Sequence, residues 1–286
     1  KAGLLLDWNK NGLLDKYGKD IKKYALKALK SNSEEFGGSK AIYGIGHNVG
    51  SGTGPSEGAD MVFGPNLRWD LYQKLGSPKI KSLDDLLNVI KKMQKLDPKS
   101  DSGKPTYGFS LWSDWDSDFV MNAKVIAQLF GYAEGDTFNN SDLILTSADS
   151  AKWQGMLDSN SYYLKGLEFF YKANKMGLLD PDSLTQKFSD VQDKYKDGQI
   201  FASEFPWVSN GYNTPAHLAA SKGFEYVPFN TEKVWSGGFN PYGGNRIWAI
   251  GAKTKYPKRV MQFLDWLYTP QGIEESNYGP KGLLWN

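Results

Sequence analysis

Apolar residues recur at helical spacing in several long segments of the chain. Ser82 is a suitable N-cap with Asp84 and Asp85 in the following turn, which predicts a helix running through Met93. A second amphipathic helix is predicted from Ser161 to Met176, and further helices over 15–29, 118–130 and 190–196. The last helix should begin at Pro257, bury Val260, Phe263, Leu264 and Leu267, and stop before Pro270.

Short apolar segments alternate with these helices. Strands are predicted over 41–45, 107–111, 200–202, 224–228 and 247–250. Such an alternation favours an α/β fold with a mostly parallel sheet and helices on both faces. In sheets of this kind, ligands bind beyond the carboxyl ends of the strands.

Composition narrows the function classes. The 34 basic and 32 acidic residues nearly balance, so the chain has no charge excess typical of a nucleic-acid-binding protein. The absence of cysteine excludes disulfides and thiol catalysis, and two histidines make a His/Cys metal site an unfavourable hypothesis. The apolar runs are too short to cross a bilayer. A soluble α/β protein remains.

The ten tryptophans are the most specific chemical signal in the chain. Two loops, 112–116 and 204–212, mix large rings with short polar side chains, and each follows a predicted strand. A sugar presents C–H bonds on one face and hydroxyls at its edge, so rings and polar groups together suit carbohydrate recognition. We expect the ligand-binding residues of these loops to be Trp112, Asp114, Trp115, Glu204, Trp207, Asn210 and Tyr212.

Each of these assignments has an alternative. One tryptophan of the first loop could pack under the following helix, and Asp116 could serve as its N-cap. A third candidate group lies in the glycine-containing segment near 237–244, where Arg246 could hold a ligand oxygen or bridge two lobes. This group consists of Trp235, Tyr242, Asn245 and Arg246. Trp248 and Trp266 are expected to be core residues.

Two other segments resemble motifs that bind a calcium ion or a phosphate group. Asp7, Asn9, Asn11 and Asp15 match the first nine positions of a calcium loop, but Gly18 stands where the bidentate glutamate belongs, so a polar turn is the favoured interpretation. The glycine-rich segment 46–58 lacks a Gly-Lys-Ser/Thr sequence, which excludes a phosphate loop. No cofactor is expected.

Three segments resemble the extracellular (family 1) solute-binding proteins of carbohydrate ABC transporters, in particular the long lipoproteins of Gram-positive bacteria. The segment 68–78, with Asp70-Leu71, Leu75-Gly76 and Pro78, resembles a segment of the family that precedes a capped helix. The segment 195–202 resembles the family's glycine-containing strand entry. The segment 248–272 resembles its near C-terminal strand, helix and turn. The three occur in the family's order.

This resemblance implies a type II periplasmic-binding-protein-like clamshell. Residues 1–45 and 244–286 would form part of lobe one, 46–243 would form lobe two, and hinge crossings would lie near 44–46 and 227–244. The chain opens on Lys1 without an initiator methionine and ends on an apolar pair, so we expect a piece of a longer mature chain that lacks the N-terminal part of lobe one.

The implied function is a receptor that holds a sugar or oligosaccharide in a cleft between the lobes and delivers it to the permease subunits of an ABC importer. It would be a monomer, at the cell surface or in the periplasm, attached to the membrane only through a lipid anchor outside this chain. It would not be an enzyme. A glycoside hydrolase and a peptide or amino-acid receptor remain as alternatives, whereas the long helices disfavour an all-β carbohydrate-binding module.

Overall fold

The computed structural model describes residues 3–34, 40–46, 49, 64–114, 120–134, 144–147, 152–229 and 247–283. The chain forms two compact units, which we call unit 1 (Lys1–Asp60 and Gly237–Asn286) and unit 2 (Met61–Ser236). The α-helices are α1 (Leu13–Tyr17), α2 (Lys19–Tyr24), α3 (Leu26–Asn32), α4 (Trp69–Lys74), α5 (Leu83–Leu96), α6 (Val120–Ile126), α7 (Tyr162–Lys175), α8 (Phe188–Lys196), α9 (Pro206–Ser209), α10 (Pro215–Ala219), α11 (Pro257–Leu267) and α12 (Pro270–Tyr278). The strands are β1 (Gly44–Gly46), β2 (Asn66–Arg68), β3 (Tyr132–Glu134), β4 (Ile144–Ser147), β5 (Trp153–Gly155), β6 (Ala202–Ser203), β7 (Phe224–Tyr226) and β8 (Ile247–Ala249).

Unit 1 packs its helices around a core that includes Trp8, Ile21, Ile45 and Met261, all fully buried. The helix predicted over 15–29 is divided into α1, α2 and α3. The first break lies at Gly18, where an added Cβ would collide with the Leu14 side chain and come within 3.3 Å of the Met261 sulfur of α11.

Two apolar side chains of unit 1 correct the sequence predictions. Helix α11 begins at Pro257 and buries Leu264 as expected, but Phe263 is 55% exposed. Trp248 is 48% exposed although it lies opposite the fully buried Ile45 in the antiparallel β1–β8 pair. Directly opposed residues share a face of the sheet. Trp248 therefore points to the core side, but the described residues cover it only in part.

Unit 2 contains two small sheets, with strand orders β6-β2-β7 and β3-β4-β5, and the ladders among the described residues are antiparallel. The prediction of a mostly parallel sheet is therefore wrong. In the part of the chain that the structure describes, parallel pairing is limited to single bridges, of which Tyr107–Ile200 and Phe109–Leu179 place the segment 107–109 between 178–180 and the residues that lead into β6.

The two long helices of unit 2 confirm the predicted N-cap at Ser82 and the predicted helix that follows Ser161. The Ser82 hydroxyl accepts a hydrogen bond from the Asp85 amide at the start of α5, and the Ser161 hydroxyl accepts one from the Leu164 amide at the start of α7. Helices α5 and α7 pack their apolar faces onto the main core of the unit, which contains Ile90 and Phe169. Within the described ranges, no helix combines the length and the apolar character that a membrane span requires.

Candidate functional site

The segment that follows β6 places polar and aromatic residues at the end of that strand. Strand β6 is held by β2 on one side, and the Tyr195 hydroxyl donates to the Ala202 carbonyl at 2.7 Å. The Ser203 hydroxyl accepts from the Phe205 amide at 2.9 Å and donates to the Phe205 carbonyl, which turns the chain sharply after the strand. Helix α9 then starts at Pro206, whose fixed φ suits a first helical position.

Trp207 lies in the first turn of α9 and is 41% exposed. Its ring centroid is 5.0 Å from that of Phe205, which is buried in a core cluster. A large flat ring is thus partly presented to solvent, and the buried Phe205 ring contacts it with the two planes inclined by 60°. This is the arrangement that a stacking platform for an apolar ligand face requires.

Glu204, at the start of the same segment, is only 7% exposed. Burial raises the pKa of its carboxyl to about 7, because the charged form loses its hydration. Its backbone carbonyl accepts a hydrogen bond from the Gly64 amide at 3.1 Å. Near neutral pH this carboxyl can therefore both donate and accept a hydrogen bond.

The structure corrects the role predicted for Trp112. Its side chain is 2% exposed, and its ring packs against Phe188 at 5.1 Å and Phe205 at 5.5 Å. Strand-end position alone suggested a platform, but two aromatic rings from distant segments cover this one. Trp112 is a core residue that supports Phe205, and through it Trp207.

Tyr212 is also a core residue rather than a surface group. It is fully buried, stacked on His217 at 3.9 Å, and lies under the Arg68 guanidinium, whose carbon is 4.4 Å from the ring centroid. Arg68 is itself buried and makes two hydrogen bonds to Asp70, at 2.9 and 3.0 Å. Sequence reasoning missed this ion pair, although its Arg-x-Asp spacing lies inside the segment 68–78.

The remaining described candidates are exposed polar groups. Asp114 accepts a hydrogen bond from the Phe188 amide at 2.9 Å and so caps α8 from a distant loop. Asn210 accepts a long one, 3.4 Å, from the Asn213 side chain. The side-chain oxygens of Asp114 and Asn210 can each accept further hydrogen bonds from solvent. The predicted ligand residues Trp115, Trp235, Tyr242, Asn245 and Arg246 lie outside the described residues.

The calcium-like loop of unit 1 uses its polar atoms to close a turn. The Asp7 carboxylate accepts from the amides of Asn9 and Ile42, and the Asn9 side chain donates to the Lys40 carbonyl. Asn11 adopts a left-handed conformation with φ of 56°, and Asp15 pairs with Lys22 at 2.7 Å. The described part of the chain holds no group of three His, Cys, Asp or Glu side chains that could bind a metal ion.

Comparisons with known proteins identify the fold. No protein-family model matches the chain, and no curated protein matches it. Among solved structures, it is similar to an HMO-binding, ABC-transporter-associated solute-binding protein from Bifidobacterium longum infantis, with 19% identity and a TM-score of 0.57 over 98% of this chain and 55% of that one. It is also similar to the S. pneumoniae ABC-transporter substrate-binding protein FusA in complex with kestose, with 20% identity and a TM-score of 0.55.

A third similar structure is the alginate-binding protein AlgQ2, with 17% identity and a TM-score of 0.55. In the comparisons with FusA and AlgQ2, 98% of this chain and 54% of the other are covered. The chain thus spans little more than half the length of the structures it matches. At these identities the likeness establishes the fold, which is the mixed α/β fold of solute-binding proteins.

Proposed function

We propose that this chain, which has the fold of ABC-transporter solute-binding proteins, is part of an extracellular receptor that captures a sugar or oligosaccharide and delivers it to an importer. The observation that carries the proposal is Trp207, a partly exposed ring at the end of β6 that is backed by the buried Phe205. Stacking on such a ring and hydrogen bonding at its edge match the two faces of a sugar.

The solved structures of similar fold support the substrate class. One of them holds kestose, and others are described as binding HMO, alginate and chitin oligosaccharide. All of these are binding proteins, so we propose no catalytic role. We further propose that the protein is a monomeric surface lipoprotein or a periplasmic protein whose partners are the permease subunits of an ABC transporter.

The proposal includes a division of the protein into two lobes. Residues 1–45 and 244–286 would belong to lobe one, and 46–243 to lobe two, with hinge segments near 44–46 and 227–244. The half-exposed Trp248, on the core side of its strand pair, supports a lobe one that further polypeptide completes. The length of the similar structures supports the same view.

Calorimetric titration with kestose, a chitin oligosaccharide and an alginate oligosaccharide tests the proposed function. We expect at least one of them to bind, and Trp207→Ala to weaken that binding by about tenfold or more. Trp153→Ala is a matched control, because Trp153 is a 69% exposed tryptophan of the same unit. Failure of all three glycans to bind, unchanged binding by Trp207→Ala, or sustained hydrolysis of a glycan would contradict the receptor assignment.

A further inference from the structure

Unit 1 contains a cavity of about 310 Å³ that the proposed function does not use. It lies between the turn that joins α1 to α2 and the turn that joins α11 to α12. Its walls include two aromatic residues and several polar ones, among them Lys16, Tyr17, Lys19, Gln262, Asp265 and Trp266. The volume is at the lower end of the range for small-molecule sites, which run from about 300 to 1,000 Å³.

One tertiary and two local hydrogen bonds order the turns that border this cavity. The Asp265 carboxylate accepts from the Ile21 amide at 2.8 Å, which ties α11 to the first turn of α2. The Thr269 hydroxyl donates to the Trp266 carbonyl at 2.7 Å and accepts from the Gly272 amide at 2.9 Å, which fixes the entry into α12. These hydrogen bonds order the backbone of both turns, so little further backbone ordering is required on binding.

The aromatic lining provides flat surfaces. Trp266 is half-buried, and Phe263 stacks on it one turn earlier in α11, with ring centroids 6.1 Å apart and planes inclined by 26°. Tyr17 contributes a second half-buried ring from the opposite wall. Rings of this kind offer an apolar face on which the C–H face of a ring compound can stack.

The polar lining is rich in hydrogen-bonding groups but balanced in charge. Gln262 offers both donors and acceptors, Lys16 and Lys19 offer donors, and Asp20 and Asp265 offer acceptors. Two positive and two negative side chains leave no excess charge to attract an anion. A lining that offers many hydrogen bonds but carries no net charge suits a compound with several hydroxyl groups.

We propose that this cavity binds a single neutral sugar ring, as a second solute site on unit 1 that is separate from the Trp207 surface of unit 2. Trp266 stacks on the ring, and Gln262 and Asp265 exchange hydrogen bonds with its hydroxyls. The inference goes beyond the proposed function, because it concerns a monosaccharide-sized site made entirely of residues in the other unit.

Saturation-transfer NMR with D-glucose, D-fructose and D-galacturonate tests the proposal on the whole chain. We expect saturable binding of a neutral sugar, weakened about tenfold by Trp266→Leu and several-fold by Gln262→Ala. Gln271→Ala is the matched control, since Gln271 is an exposed glutamine of α12 that does not line the cavity. An unchanged far-ultraviolet circular-dichroism spectrum and a cooperative urea transition show that each variant is folded.

The outcomes separate this site from the proposed receptor site. Trp207→Ala should leave monosaccharide binding unchanged, and Trp266→Leu should leave oligosaccharide binding unchanged. The proposal is overturned if neither neutral sugar saturates the protein, if both cavity variants bind like the unmodified chain, or if only D-galacturonate binds. These three overturning results are measured with monosaccharides, so they do not depend on whether the oligosaccharide titration succeeds.

Discussion

The buried carboxyl of Glu204 makes the stability of the protein depend on pH in an unusual direction. Its pKa rises from 4.5 to about 7 on folding because its side chain is removed from water. Between these two values the folded state binds more protons than the unfolded state. The contribution of Glu204 is therefore fully present below about pH 4.5 and is lost as the pH rises through about 7.

The size of this effect follows from the pKa difference. A change from 4.5 to about 7 corresponds to about 3 kcal/mol of unfolding free energy, as an order of magnitude. Glu204→Gln replaces the carboxyl with a neutral group of the same shape. We expect the variant to be more stable than the unmodified chain by about 1 kcal/mol near about pH 5 and by about 3 kcal/mol near about pH 8.

Urea unfolding of both proteins at these two pH values measures the effect, and the difference between them cancels the other titrating groups. Glu225→Gln is the matched control, because Glu225 is an exposed glutamate on the neighbouring strand β7. The reasoning is refuted if the stability difference between Glu204→Gln and the unmodified chain is the same at both pH values.

Three further substitutions test the packing that positions the site. Asp70→Asn should destabilise the fold in urea by up to about 3–5 kcal/mol, because the remaining carboxylate beside the buried Arg68, that of Asp97, is 3.6 Å away and partly exposed. The surface substitution Asp84→Asn should cost no more than about 1 kcal/mol, and equal costs would contradict this reasoning. Trp112→Ala should lower stability by about 3–5 kcal/mol, measured in the same way, and a loss below about 1 kcal/mol would show that the ring is not a core residue. Gly166→Ala should lower the thermal midpoint by several degrees, since its methyl group would collide with the backbone of α6, and an unchanged midpoint would contradict the close α6–α7 contact.

The sequence predicted local features well. Ser82, Ser161 and Pro257 begin helices as expected, because a cap or a first-turn proline acts within a few residues of its own position. The mixed α/β fold was likewise predicted, and the similar solved structures confirm it. The strand pairing was not predicted from the sequence, because pairing joins segments such as β2 and β7 that are far apart in the chain.

The two tryptophan loops show where sequence information ends. Trp112 and Trp207 both follow extended segments and both have polar neighbours, so the sequence by itself determined only that each could be a platform. Tertiary packing decided between them: Phe188 and Phe205 cover Trp112, while Phe205 supports Trp207 from one side and leaves it 41% exposed. Burial depends on which distant side chains arrive at a site, and no local pattern of residues encodes that.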